Sequence, residues 1–158
     1  MRFAMNDEII KVEALSAGTR SKKEGLSILF IEKGSGTCLR GHEVLHLEEN
    51  MVYTGVSDCF QQFELVEDTT GYLVAIDPDK LGTKFETETL AYKSLFSIHR
   101  LSLRLDAESA EEMSWLMTRI IKKTRSKEKY RTEIIQNYVG LLMLHLRCEL
   151  QDDLVLAL

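Results

Sequence analysis

Apolar and polar positions divide this chain into two unlike halves. From Leu26 to Ile76, apolar residues fall in short runs, each stopped by turn residues. Beyond Asp77-Pro78-Asp79 the character changes, and helical spacing appears on either side of one alternating run. Residues 26–32 (LSILFIE) predict a strand ending at the tight turn Gly34-Ser35-Gly36, and residues 37–40 start the return strand before Gly41. Residues 44–47 predict a further strand, then a Glu48-Glu49-Asn50 turn, then a strand over 51–54. Residues 60–66 form a longer strand, with Phe63 and Leu65 on one face and Gln62 and Glu64 on the other. A turn over 67–71 leads to the last clear strand of this half, 72–76. Upstream, Ile9, Ile10, Val12 and Leu15 suit a strand or an arm packed over the core. Residues 16–25 read as loop, with Arg20, Lys22 and Lys23 at a solvated tip. Short strands at this spacing mean a sandwich or small barrel.

The second half begins with residues 85–96, which predict a short helix. Residues 98–105 alternate as a half-exposed strand, with Leu101, Leu103 and Leu105 on one side and Arg100, Ser102 and Arg104 on the other. Asp106 and Ser109 offer N-caps, and Ser109 with Glu112 has capping-box spacing. Met113, Leu116, Met117, Ile120 and Ile121 then form one stripe, so a helix is expected over 107–123. The break at Arg125-Ser126-Lys127 is short, which makes the next helix an antiparallel neighbour. That second helix, expected over 129–150, spans about six turns at 3.6 residues per turn. It is apolar on two faces. One stripe runs Ile135, Tyr138 or Val139, Leu142 and Leu146; the other runs Ile134, Tyr138, Leu141 and His145. Such a helix needs two surfaces to pack on. They are either its own domain and a second copy of the chain, or two sides of a single core.

Composition narrows the function classes. The chain has 158 residues, 44% of them apolar and 28% charged, which suits one globular domain. Its 20 basic and 25 acidic residues give a net charge of −5, the wrong sign for gripping a long nucleic-acid duplex by itself. Cys38, Cys59 and Cys148 form no CxxC pair, so free thiols in a reducing cytoplasm are expected. No secretory leader pattern opens the chain, and no apolar stretch has membrane-spanning length.

The search for catalytic chemistry is nearly empty. No GxSxG, P-loop or GxGxxG motif is present. His42 and His46, with Glu43, Glu48 and Glu49 nearby, are the one metal-like grouping. On a strand, however, residues four apart lie about 13 Å from each other at about 3.3 Å per residue. The expectation is therefore no metal and no cofactor. Phe30, Tyr53, Phe63 and Tyr72 are candidates to line a ligand pocket inside the strand-rich half, with plain core packing as the alternative for each.

The ordered whole resembles the N-terminal sensor and dimerisation domain of AraC-type transcription regulators. LSILFIEKGSGTCLRG is similar to that family's opening strand, hairpin and return strand, HEVLHLEENMVY to its next hairpin, and GYLVAIDPDKL to the strand and turn closing its barrel. YKSLFSIHRLSLRLDAESAEEMSWLMTRII resembles its connecting segment and first helix, and TEIIQNYVGLLMLHLR its second, dimer-forming helix. The likeness runs from about Leu26 to Arg147. It departs from the family at Gly55, which lacks a neighbouring proline, and at Gln61 and Gln62, where a histidine is common.

The resemblance implies a fold of mainly β plus α class: a cupin-like small β-barrel or jelly roll, then an antiparallel helix pair. The expected layout is arm and barrel over 1–80, a connecting segment over 81–106, the helix pair over 107–150, and a tail over 151–158 toward an absent DNA-binding domain. It implies a non-enzymatic cytoplasmic regulator that senses a small-molecule effector. It implies a homodimer built on Ile134, Tyr138, Leu141 and His145, contact with DNA only through the absent domain, and no contact with membranes. A stand-alone cupin metalloenzyme or isomerase using His42 and His46 is the alternative. A cyclic-nucleotide module is disfavoured, because no Gly-Glu pair with a downstream Arg lies between Gly34 and Gly71.

Overall fold

The computed structural model describes residues 9–16, 25–56, 59–77 and 101–157, with side chains to residue 149. The strands are β1 (Ile10–Ala14), β2 (Leu26–Lys33), β3 (Gly36–Arg40), β4 (Glu43–Leu47), β5 (Met51–Val56), β6 (Phe60–Leu65), β7 (Thr70–Ile76) and β8 (Ser102–Arg104). The helices are α1 (Ala107–Thr124) and α2 (Arg131–Ala157). A five-stranded sheet runs in the order β1-β7-β2-β5-β8, and a three-stranded sheet in the order β4-β3-β6. All pairings are antiparallel.

The described residues are therefore β-rich with two helices, as the residue pattern implies. Among the described residues the ladders do not close into a ring. They end at edges β1 and β8 in one sheet and β4 and β6 in the other, so no closed barrel is seen among these residues. The short helix expected over 85–96 and the tip at Arg20, Lys22 and Lys23 lie outside the described residues.

Strand β2 explains the layering. Its side chains alternate between two dry environments. Leu26, Ile28 and Phe30 join a core shared with the helices, and Leu29 and Ile31 join a core shared with the three-stranded sheet. A strand covered on both faces reads as a continuous apolar run, which is how LSILFI reads. In β6, Leu39 opposes Gln61 and Thr37 opposes Glu64, so Gln62 and Phe63 together face Cys38. Gln62 takes the extra position at φ 54°, as in a β-bulge. The bulge puts Phe60 on the inward face with Phe63, although they are three residues apart.

Helix α1 starts where expected. The Asp106 carboxylate accepts a 2.7 Å hydrogen bond from the Ser109 N–H, and Asp106, not Ser109, is the N-cap. Ala110, Met113, Leu116, Met117 and Ile120 are its buried stripe. The helices are antiparallel: Glu112 meets His145, Trp115 meets Tyr138, and Arg131 meets the end of α1. Arg131 donates to the carbonyls of Lys123 (3.2 Å) and Thr124 (2.9 Å), satisfying acceptors a helix end leaves open. Helix α2 continues past the expected end at 150 to Ala157, since neither Gly nor Pro interrupts the intervening residues.

Leu116→Ala removes a side chain that is 1% exposed, and should cost about 2–5 kcal/mol in urea unfolding. Asp106→Ala should lower the midpoint by less, and Asp106→Asn should retain most of the cap. The Ser109 N–H holds the Asp106 carboxyl below the ordinary aspartate value of 3.8. The stabilisation from the cap is thus complete above that value and is lost as pH falls through the lower folded one. An Asp106→Ala midpoint equal to the parent's at neutral pH would remove the cap from this account.

Candidate functional site

The four candidate pocket aromatics do not line one space. Tyr53 and Phe63 lie between the two sheets, with Leu29, Ile31, Cys38, Leu45 and Phe60 among their neighbours in that core. Phe30 belongs to the core on the opposite, helix-facing side of the five-stranded sheet, and Tyr72 packs half-buried against that core. Strand parity is the reason. Leu29, Tyr53 and Leu73 point one way from their strands, and their chain neighbours Phe30 and Tyr72 point the other. A site between the sheets would be bounded by Tyr53 and Phe63, with Phe30 and Tyr72 behind its wall.

Tyr53 also carries polar contacts. Its hydroxyl donates to the His46 carbonyl and accepts from the Glu48 N–H, both at 3.1 Å, tying β5 to the end of β4. Burial, foremost, pushes its phenol above the ordinary tyrosine value. Cys38 is 2% exposed, and its thiol is pushed up to about 12, first by burial and then by Cys59, against an opposing effect of Arg40. Such a thiol is a core hydrophobe and not a nucleophile.

The residue that the sequence reading missed is Arg40. It is 3% exposed, near the other end of the inter-sheet space from Tyr53's contact with His46. Its Nε and Nη2 donate to Glu43 Oε2 at 3.3 and 3.1 Å, and its Nη1 donates to the carbonyls of Thr54 (3.3 Å) and Leu101 (2.7 Å). Thr54 is fully buried, and its Oγ1 accepts from the Leu101 N–H at 3.1 Å. Gly55 makes room here: a Cβ on it would collide with Cys59 Sγ and come within 3.8 Å of Arg40 Cδ. The signal was present in the sequence. Arg40 has the same parity as inward-facing Cys38 on a strand, with a glutamate three residues later.

On α2, the stripe Ile135, Val139, Leu142 and Leu146 is buried against the domain, each 4% exposed or less. The other stripe lies along the flank beside α1. Ile134, Tyr138 and His145 are half-buried, and Leu141 is 39% exposed. Tyr138 meets Trp115 edge to face with ring centroids 6.3 Å apart, and His145 Nδ1 lies 3.5 Å from Glu112. Trp115 remains half-exposed with Arg119 over its ring, and Leu144 is also exposed. The helix pair therefore presents apolar side chains from both helices.

The histidines are separated from any such focus. His42 sits in the turn before β4 and His46 on β4, both exposed, while Glu43 turns inward to Arg40. Among the described residues no group of three or more His, Cys, Asp or Glu side chains is placed to hold a metal ion. No described helix is long and apolar enough to cross a membrane.

Tyr53→Phe should cost about 0.5–1.5 kcal/mol through the lost hydroxyl bonds while leaving the ring in place, as read by urea unfolding. In native protein at pH 8, iodoacetamide should label the exposed Cys148 and leave Cys38 unmodified, and Cys38 should react after unfolding. Rapid native labelling of Cys38 would show that the inter-sheet core is open to solvent.

No family model matches the chain, and no curated protein matches it. Among solved structures it is similar to an apo lysine-to-alanine variant of ToxT from Vibrio cholerae strain SCE256, at 12% identity and TM-score 0.49, over 82% of this chain and 51% of that one. It is also similar to another ToxT structure from Vibrio cholerae, at 11% identity and TM-score 0.44, over 85% and 55% respectively. The chain thus spans about half the length of each ToxT chain it matches.

Proposed function

We propose that this chain is the ligand-sensing and dimerisation part of an AraC-type transcription regulator, a cupin-like sensor that controls an attached helix-turn-helix DNA-binding domain. One observation carries the reading. The five-stranded sheet has the inter-sheet core on one face and the helix pair on the other, and its edge strand β8 is followed at once by α1. This joins a core that could take a small apolar effector to a helix surface that could take a second copy, in the order the sequence resemblance implies.

The proposed effector space lies beside Tyr53 and Phe63. The proposed homodimer seam is Ile134, Tyr138, Leu141 and His145, with Trp115 extending it from α1. Regulation then follows from linkage. An effector that prefers one spacing of sheets and helices shifts the population of the dimer competent to bind DNA. The chain acts by binding, and DNA is reached through the attached domain.

The test is oligomeric state coupled to a reporter. The parent chain should sediment as a dimer. Fused to a heterologous DNA-binding domain that represses only as a dimer, it should repress. Leu141→Arg places a charge on a partly exposed position, so the unfolding midpoint should move little while the dimer dissociation constant rises at least about tenfold and repression is lost. Tyr138→Arg should also break the dimer, with some loss of stability because its ring packs on Trp115. A Leu141→Arg chain that stays dimeric rejects this face. A parent chain monomeric at every concentration rejects the dimerisation function.

A further inference from the structure

The two sheets meet mainly through apolar side chains, and apolar contacts tolerate small changes of spacing without a discrete loss. Arg40 is different in kind. It stands on β3 in the three-stranded sheet, yet its Nη1 donates to carbonyls of the other sheet, Thr54 on β5 and Leu101 at the head of β8. The Leu101 carbonyl accepts twice, from Arg40 and from the Thr54 N–H at 3.0 Å, while the Leu101 N–H is held by Thr54 Oγ1. From there the chain runs three residues as β8. The Leu105 N–H then donates to the Asn50 carbonyl at 2.8 Å, and Asp106 caps α1. A buried guanidinium is thus spent on the junction that leads into the helices.

We infer that Arg40 is a positioning residue that latches the three-stranded sheet to the head of β8, so that a change in the spacing of the sheets reaches α1 through the β5–β8 junction. The chemistry suits a latch. The guanidinium fork holds a carboxylate on its own sheet and two carbonyls on the other, and the two carbonyl bonds, both made by Nη1, are lost together when the distance grows. Glu43 is half-exposed, so it can hold the guanidinium's charge on the three-stranded sheet after the carbonyl bonds break. The value of the latch for signalling rests on the sensor reading above. The coupling itself is a property of this chain alone and needs neither effector nor partner.

Amide hydrogen exchange of the full chain tests it. Arg40→Met should speed exchange at Leu101, Leu103 and Leu105 by about tenfold or more, with little change at the centre of the β2–β7 pairing. Arg40→Lys keeps the charge without the fork and should loosen the same amides by a smaller factor. Leu45→Ala opens the inter-sheet core from the three-stranded side. It should speed exchange at Leu101 when Arg40 is present and add nothing when Arg40 is replaced, which is the signature of coupling in a double-mutant cycle. If Arg40→Met fails to fold, the same cycle is read with Arg40→Lys. Additive effects of Leu45→Ala and the Arg40 change overturn the latch. So does an equal rise in exchange at every amide, because Arg40 would then be only a core residue. A monomeric parent chain would sink the dimer reading and leave these results standing, and additivity here would leave the dimer reading untouched.

Discussion

Strand β2 has no wet side from Leu26 to Ile31, and the rest of the molecule is arranged around that constraint. A sheet with apolar side chains on both faces must be covered twice. The three-stranded sheet covers one face through Leu45, Leu47, Phe60 and Phe63. The helices cover the other through Met113, Leu116, Met117, Val139 and Leu142. The layers are therefore not independent modules. Moving either cover changes the packing of the same few strands.

Two polar bridges set the geometry of that arrangement. Tyr53 reaches from β5 to the end of β4, and Arg40 reaches from β3 to Thr54 and Leu101. Burying a hydroxyl or a guanidinium is unfavourable unless its donors and acceptors are met, and a met buried polar group fixes distance far more sharply than an apolar contact does. The bridges lie near opposite ends of the inter-sheet space. Between them the core is apolar and includes the inert thiol of Cys38.

Much of the local structure was legible in the residues because its causes are local. Gly34-Ser35-Gly36 and Gly41 mark turns, and Gly34 at φ 98° and Gly41 at φ 64° occupy backbone conformations that suit glycine. The α1 stripe and its Asp106 cap follow from side chains within a turn of each other. The stripe of Ile135, Val139, Leu142 and Leu146 was likewise readable as a buried face. The bulge at Gln62 was not, since an extra residue in a strand is defined only by the partner strand it fails to match. Nor did the pattern show that α2 runs on to Ala157, because apolar spacing weakens there while helix propensity persists.

The sequence by itself determined where most of the described strands and helices lie, where they turn, and which side is apolar wherever no bulge intervenes. Periodicity, glycine placement and capping act over a few residues and need no partner. Only the tertiary structure decided which strands became neighbours, and with that which apolar faces share a core. It separated Tyr53 and Phe63 from Phe30 and Tyr72, arranged the described strands as two sheets, and brought Arg40 to a carbonyl 61 residues along the chain. Parity says that two side chains point to opposite faces, but what lies beyond each face depends on long-range packing.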